Sequence, residues 1–289
     1  MPELPEVETV RRGLPELIIG KIVVSEAHDT AKGFPNASTD VAQFLIGAGV
    51  TAVRRRAKVL MIDLSTDYSL VIHLKMTGQL VYVDKDARFG AGHPNDSLVN
   101  ALPDKSTRVT IEFKDGSQLF FNDQRKFGWV KLIATAEIPE LPFMKKVGPE
   151  PLEADFTAKQ FKDRFTRRGR RSIKAAILDQ SVVAGVGNIY ADESLWGAKI
   201  HPSRLTATIT DFEFKKLYTE LREVMNLSIE KGGSSNRNYV NAEGKRGSYM
   251  DFARVFRREG LPCPRCGTTI EKLRVAGRGT HICPYCQTL

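Results

Sequence analysis

Cysteine is scarce in this 289-residue chain: there are four, and none precedes residue 263. A scattered disulfide framework is therefore excluded, and one local cysteine site is what remains. Acidic residues are outnumbered. Against 43 Lys and Arg stand 34 Asp and Glu, a formal net charge of +9. Such a balance favours a polyanionic partner, nucleic acid first, although charge alone gives only a modest preference. No apolar run approaches the ~18–20 residues of a membrane span. The first residues lack the basic and apolar stretches of a secretory signal. A cytoplasmic protein with no membrane partner is expected, and no internal repeat is visible.

Apolar residues make up 42% of the chain, enough for real cores, and the length suits one large or two ordinary domains. Residues 21–135 read as strands. KIVVSEAHD, TAVRRRAKVLMIDL, SLVIHLKMTGQLVYV, RVTIEF and SQLFF are rich in β-branched and aromatic residues with partial alternation. Lys114-Asp115-Gly116 marks a hairpin turn between the last two. Several antiparallel strands at short spacing predict a two-sheet sandwich. The polar stretch 86–106 reads as a surface loop. Four prolines in 136–153 make that segment a linker between a domain of residues 1–135 and a second that begins at 154. There the period becomes helical. Phe156, Phe161 and Phe165 lie among arginines, and SIKAAILDQ, NIYADESLWGA and DFEFKKLYTELREVMNLSIEKG follow as helices. The last carries Phe214, Leu217, Leu221, Val224 and Met225 on one face. A polar, glycine-containing loop covers 232–250, and the cysteines fall in the tail 261–289.

Chemistry concentrates at three places. The chain opens MPELPEVETV. Removal of Met1 is expected, since Pro2 is small, and it would leave a secondary amine. An α-amino group titrates near ~7.7–8.0, so a useful fraction is neutral and nucleophilic. Glu3 stands beside it, with Glu6 one helical turn on. The same residues also suit an acidic helix start with no chemistry at all. Cys263, Cys266, Cys283 and Cys286 form C-x2-C…C-x2-C with sixteen residues between the pairs. Two such hairpins complete a tetrahedral, closed and therefore structural Zn2+ site, with a redox or iron–sulfur role as the remainder. Arg278 lies in the loop that the zinc would brace, poised for a nucleic-acid groove or simply solvated. Third, Gly185 and Gly187 lead to a helix starting near Asn188. Helix amides, the Asn188 side chain and the preceding Lys174 could hold a phosphate. Plain N-capping by Asn188 would look the same.

PELPEVETV, Lys58, Met76, Asn188 and the four-cysteine tail, in that order, resemble the formamidopyrimidine-DNA glycosylase family over nearly the whole chain. The resemblance implies an α+β fold: an N-terminal two-sheet β-sandwich flanked by helices, then a helical domain (154–260) with a helix–two-turn–helix, and a β-hairpin zinc finger (261–289). It implies a monomeric bacterial glycosylase/AP lyase of base excision repair, with damaged double-stranded DNA as partner. Oxidised purines such as 8-oxoguanine and formamidopyrimidines would be its substrates. Pro2 becomes the nucleophile and Glu3 the acid/base, while Lys58 and Arg278 meet backbone phosphates. His73 contacts a phosphate, and Met76, Arg125 and Phe127 enter the duplex. From the residues alone, Lys58 reads first as a solvated strand-end lysine, Met76 and Phe127 as core residues, and His73 as a satisfied buried histidine. The stretch 234–249 resembles the family's lid over the extruded base. Two alternatives stay open: an endonuclease VIII-like enzyme for oxidised pyrimidines, which PELPEV rather than PEGPE disfavours, and a non-catalytic zinc DNA-binding protein.

Overall fold

The computed structural model describes residues 2–93, 95–234 and 249–289, and the chain folds as two compact units. The first takes residues 1–145 and returns for 231–248; the second takes 146–230 and 249–289.

In the first unit, Pro5 starts helix α1 (Leu4–Gly13), where its missing N–H costs nothing. Val7, Val10 and Leu14 turn inward, each no more than 1% exposed. The short helices α2 (Pro15–Ile18) and α3 (Ser38–Asp40) precede the bulk of the strands. Among its described residues the unit has nine strands: β1 (Val23–His28), β2 (Val50–Arg56), β3 (Val59–Leu64), β4 (Tyr68–His73), β5 (Gly78–Val83), β6 (Arg88–Gly92), β7 (Thr107–Phe113), β8 (Gln118–Asp123) and β9 (Trp129–Ala134). They form a five-stranded sheet, β1-β7-β8-β5-β6, and a four-stranded sheet, β2-β3-β4-β9, antiparallel throughout. Leu60, Ile62, Leu70 and Ile72 of one sheet and Leu80, Ile111, Leu119 and Phe121 of the other share one apolar core, so the two sheets are a sandwich. Burying each such side chain contributes about 1.5–3 kcal/mol. The alternate residues of β3 and β4, Val59, Met61 and Val71, are buried too, against Ile138 and the short helix α4 (Pro142–Lys146). A sheet covered on both faces explains why VLMIDL reads as a nearly unbroken apolar run.

The hairpin expected at Lys114–Gly116 joins β7 to β8. The loop expected at 86–106 is a different matter, because it contains β6. Arg88-Phe89-Gly90-Ala91-Gly92 pairs along β5. Its glycines hide it from pattern reading, yet a Cβ on Gly92 would stand 2.5 Å from the Gly78 carbonyl oxygen. Beyond β6, Leu98 and Leu102 cover Val81 and Phe120 on the outer face of the sheet. The Arg88 guanidinium donates to the carbonyls of Ser97, Leu98 and Asn100 and so holds that cover in place.

The second unit is helical: α5 (Ala158–Asp163), α6 (Ile173–Ile177), α7 (Asn188–Ala198) and α8 (Asp211–Glu230). Phe156, Phe161, Phe165, Phe214 and Tyr218 pack edge-on and tilted, with centroids 4.9–6.5 Å apart. The stripe Leu217, Leu221, Val224 and Met225 is buried, as the spacing predicts. Helix α6 ends sooner than expected, at Ile177, because Asp179 turns back to accept from the Ser181 N–H and hydroxyl. The unit closes with a hairpin of β10 (Glu271–Val275) and β11 (Arg278–Ile282), reversed by Ala276 and Gly277, both at positive φ.

Candidate active site and nucleic-acid interface

The head of α1 is buried. Glu3 is its N-cap and only 3% exposed. The Glu6 carboxylate accepts the Glu3 N–H at 2.7 Å and the Ser234 N–H at 2.8 Å. The residue after Pro2 is thus tied through Glu6 to Ser234. Met1 and residues 235–248, where the expected lid falls, lie outside the described residues. One turn further, Glu8 accepts from Arg11, Arg12 and Arg55. Burial would raise its pKa, but the three guanidinium hydrogen bonds more than reverse this and hold it at about 2. Arg55 also donates to the Ala57 carbonyl at 3.0 Å. That links α1 to the β2–β3 turn, where Ala57 takes positive φ and Lys58 is 8% exposed. A solvated strand-end lysine does not describe Lys58.

Strand pairing sets Val59 opposite His73, which brings His73 next to the Lys58 turn. The His73 ring is partly buried. Burial, with Lys75 and Lys58 adding repulsion, pushes its pKa down to about 3. The Lys75 N–H donates to Nδ1 at 3.1 Å, so the neutral ring carries its proton on Nε2 and can donate there. Met76 sits in the β4–β5 turn, partly exposed and outside the apolar core. Phe127 is 47% exposed, and the Arg125 guanidinium lies over its ring at 4.7 Å. Neither is a core residue. Both turns converge on Asp123, which is fully buried.

The expectations for the second unit divide. Lys174 does not offer itself to a phosphate. Its ammonium is fully buried, 2.5 Å from Asp192, and donates to the Gly279 carbonyl and the Thr280 hydroxyl. A buried charge needs its partners, and here protein supplies them. Asn188 is the first residue of α7 rather than its cap; Gly187 is the cap. The Asn188 amide donates to the same Gly279 carbonyl at 2.9 Å. Both residues thereby hold the backbone beside Arg278, which is exposed at the hairpin tip. The turn before α7 is braced by Gln180, whose amide bonds Val186 O and Gly185 N, with Gly185 at φ +78°.

Cys263, Cys266, Cys283 and Cys286 bring their four sulfurs within 4.8 Å of one another. A zinc tetrahedron with Zn–S of about 2.3 Å has edges of about 3.8 Å, so the four thiolates fit one ion and complete its shell. The Cys286 N–H points at the Cys283 sulfur from 3.4 Å, as a turn around a bound thiolate requires.

Comparison with known proteins settles what these parts belong to. Residues 1–130 match the formamidopyrimidine-DNA glycosylase N-terminal domain, 147–239 its H2TH domain, and 260–289 a zinc finger found in FPG and IleRS. The formamidopyrimidine-DNA glycosylase of Pediococcus pentosaceus is 43% identical over 289 residues, 100% of both chains. This chain belongs to the formamidopyrimidine-DNA glycosylase family. A second family member, from Desulforamulus reducens, is 41% identical, with 99% of each chain covered. Among solved structures, a Lactococcus lactis Fpg mutant in complex with Fapy-dG containing DNA superposes with a TM-score of 0.87 at 36% identity, covering 100% of both chains. The Fpg protein of Thermus thermophilus gives 0.83 at 36% identity, with coverage of 99% and 98%.

Several residues of this family member escaped the sequence reading. Asp123, Asp192 and Glu193 are all fully buried carboxylates. Glu193 accepts from the N–H groups of Arg254, Val255 and Phe256 and from the Tyr249 hydroxyl. Burial raises its pKa against these donors. An acid inside an otherwise apolar helix, as in NIYADESLWGA, was the available signal.

Proposed function

We propose that this chain is a DNA glycosylase and AP lyase that removes oxidised purines, 8-oxoguanine and formamidopyrimidines, from duplex DNA. Pro2 and Glu3, at the buried head of α1 and fixed by Glu6, carry this reading. With Met1 removed, the Pro2 nitrogen attacks C1′ of the extruded nucleotide as the glycosidic bond breaks and the base leaves with a proton. Glu3 protonates O4′ as the sugar ring opens, and its conjugate base serves later proton transfers. The product is an iminium between Pro2 and C1′. It acidifies the 2′ protons; loss of one expels the 3′ phosphate, and a second elimination expels the 5′ phosphate. Water then releases the sugar fragment and regenerates the amine.

The chain's other residues bind and orient. Lys58 and the Nε2–H of His73 meet phosphates around the lesion, and Arg278 meets another from the hairpin tip. Met76 and Phe127 fill the space left by the flipped nucleotide, and Arg125 hydrogen-bonds the orphaned base. Asn188 and the first amides of α7 hold a backbone phosphate. Zinc, when bound, supplies no chemistry beyond fixing the hairpin. Residues 1–135 serve as the catalytic domain, 154–260 as the DNA-binding domain and 261–289 as the zinc finger. The enzyme works as a monomer in the bacterial cytoplasm, at the nucleoid.

Borohydride trapping on 8-oxoguanine duplex in EDTA-containing buffer tests the reading. A covalent adduct is expected for protein shown by mass spectrometry to begin at Pro2, and none for protein that keeps Met1. Equal trapping by both forms excludes Pro2 as nucleophile.

A further inference from the structure

Asp123 ends β8 with 0% exposure, and among the described residues no cation pairs with its carboxylate. Neutral donors satisfy it instead. One oxygen receives the Thr77 hydroxyl and the Arg125 N–H at 3.2 Å; the other receives the Phe127 and Gly128 N–H groups at 2.8 and 2.7 Å. Thr77 works in both directions, since its hydroxyl oxygen also accepts the Arg125 N–H at 3.1 Å. Thr77 follows Met76 directly. Hence the turn that carries Met76 and the turn that carries Arg125 and Phe127 meet on one hydroxyl and one carboxylate.

We infer that Asp123 and Thr77 form a clamp that makes these two turns a single rigid body and so positions the Met76–Arg125–Phe127 wedge. The inference rests on the function proposed above. Each turn holds a non-glycine residue at positive φ, Lys75 at 49° and Lys126 at 55°. Such conformations persist only where the surroundings over-determine them. Close packing also fits: a Cβ on Gly128 would meet Phe121 Cζ at 2.6 Å and an Asp123 oxygen at 3.1 Å. From outside, Arg108 donates to the Asp123 carbonyl and pairs with Asp29, which also pairs with Lys126. A wedge must work against the unstacking of bases, a cost of a few kcal/mol. Two turns ordered in advance spend none of the binding energy on their own ordering. Thr77 and Asp123 are positioning residues: they touch the backbone that carries the wedge.

The test compares wild type, Thr77→Val and Thr77→Ser in two ways. Amide hydrogen exchange without DNA reads the clamp itself. Thr77→Val should speed exchange at Arg125, Phe127 and Gly128 by about ten-fold, and Thr77→Ser should restore protection. With DNA, 2-aminopurine opposite the lesion reads wedge insertion. Its fluorescence rise on binding should shrink for Thr77→Val. The ratio of base excision from damaged duplex to scission at a single-stranded abasic site should fall about ten-fold, since only the duplex needs the wedge. A merely structural role would lower both activities together. Unchanged exchange overturns the clamp; faster exchange with wild-type fluorescence and a wild-type ratio overturns its role in the wedge. If wild-type protein forms no borohydride adduct, the proposed function fails, while the exchange arm still decides the clamp.

Discussion

Two buried aspartates solve one electrostatic problem in opposite ways. Asp192, in the helical unit, is balanced by charge and hydrogen bonds: Lys174 at 2.5 Å and His281, through its backbone N–H and its ring. Asp123, in the sandwich unit, is satisfied by three backbone amides and one hydroxyl. The first arrangement ties together separate pieces, helices α6 and α7 and the zinc hairpin. The second shapes two short turns. A side-chain ion pair spans distance, whereas a carboxylate gathering amides fixes backbone conformation. Each device sits where its geometry is needed, and the two should fail differently.

The largest expected effect comes from the metal. Structural zinc sites of this kind supply on the order of 10–16 kcal/mol of apparent binding energy. Chelation under forcing conditions should therefore unfold the hairpin and leave the sandwich intact. The chain has two tryptophans, and each reports one unit: Trp196 packs against the cysteine cluster, Trp129 against Phe143. Emission from Trp196, isolated in Trp129→Phe protein, should move to the red. Emission from Trp129 in the reciprocal variant should hold.

Next in size is Lys174→Met, which strips Asp192 of its counter-charge and should cost about 3–5 kcal/mol in urea unfolding. Adding Asp192→Asn should recover a good part of that, since a neutral pair no longer leaves a buried charge. A double variant as unstable as the single one would show that shape, not charge, governs this site. A smaller loss, about 1–3 kcal/mol, is expected for Asp123→Asn, which leaves amide donors facing an amide donor. If Asp123→Asn proves costlier than Lys174→Met, the contrast between the two devices is reversed.

Mild acid gives the smallest effect. His73 has a folded pKa of about 3, below its ordinary 6.5, so its contribution is complete above pH 6.5 and is lost as pH falls toward 3. Glu8, at about 2 against 4.5, contributes fully above 4.5 and loses that contribution as pH falls toward 2. Both stabilise the sandwich unit. The midpoint of denaturant unfolding read at Trp129 should fall gradually from pH 6.5 downward, and His73→Gln should flatten its upper part.

The parts most legible in the sequence were those governed by short-range rules. Cysteine spacing announced the metal site, Lys114–Gly116 its hairpin, and the stripe on α8 its buried face. Strand β6 was missed because glycine carries no β propensity; its pairing is decided by the neighbouring strand. Lys174 read as a phosphate ligand because its partner lies eighteen residues away and its other acceptors beyond residue 278. Asp123 drew no notice in NDQRKFG, since nothing local shows that Thr77 will arrive beside it. Buried charge is set by what the fold brings near, and pattern reading along the chain does not reach that far.

The Glu6 carboxylate, shared between Glu3 and Ser234, has a consequence for how the protein is made. Residue 234 emerges from the ribosome long after residue 6. The head of α1 therefore stays unfinished through most of translation. The start of the first helix is completed only by the far side of the polypeptide, and the growing chain reaches that arrangement only when nearly whole.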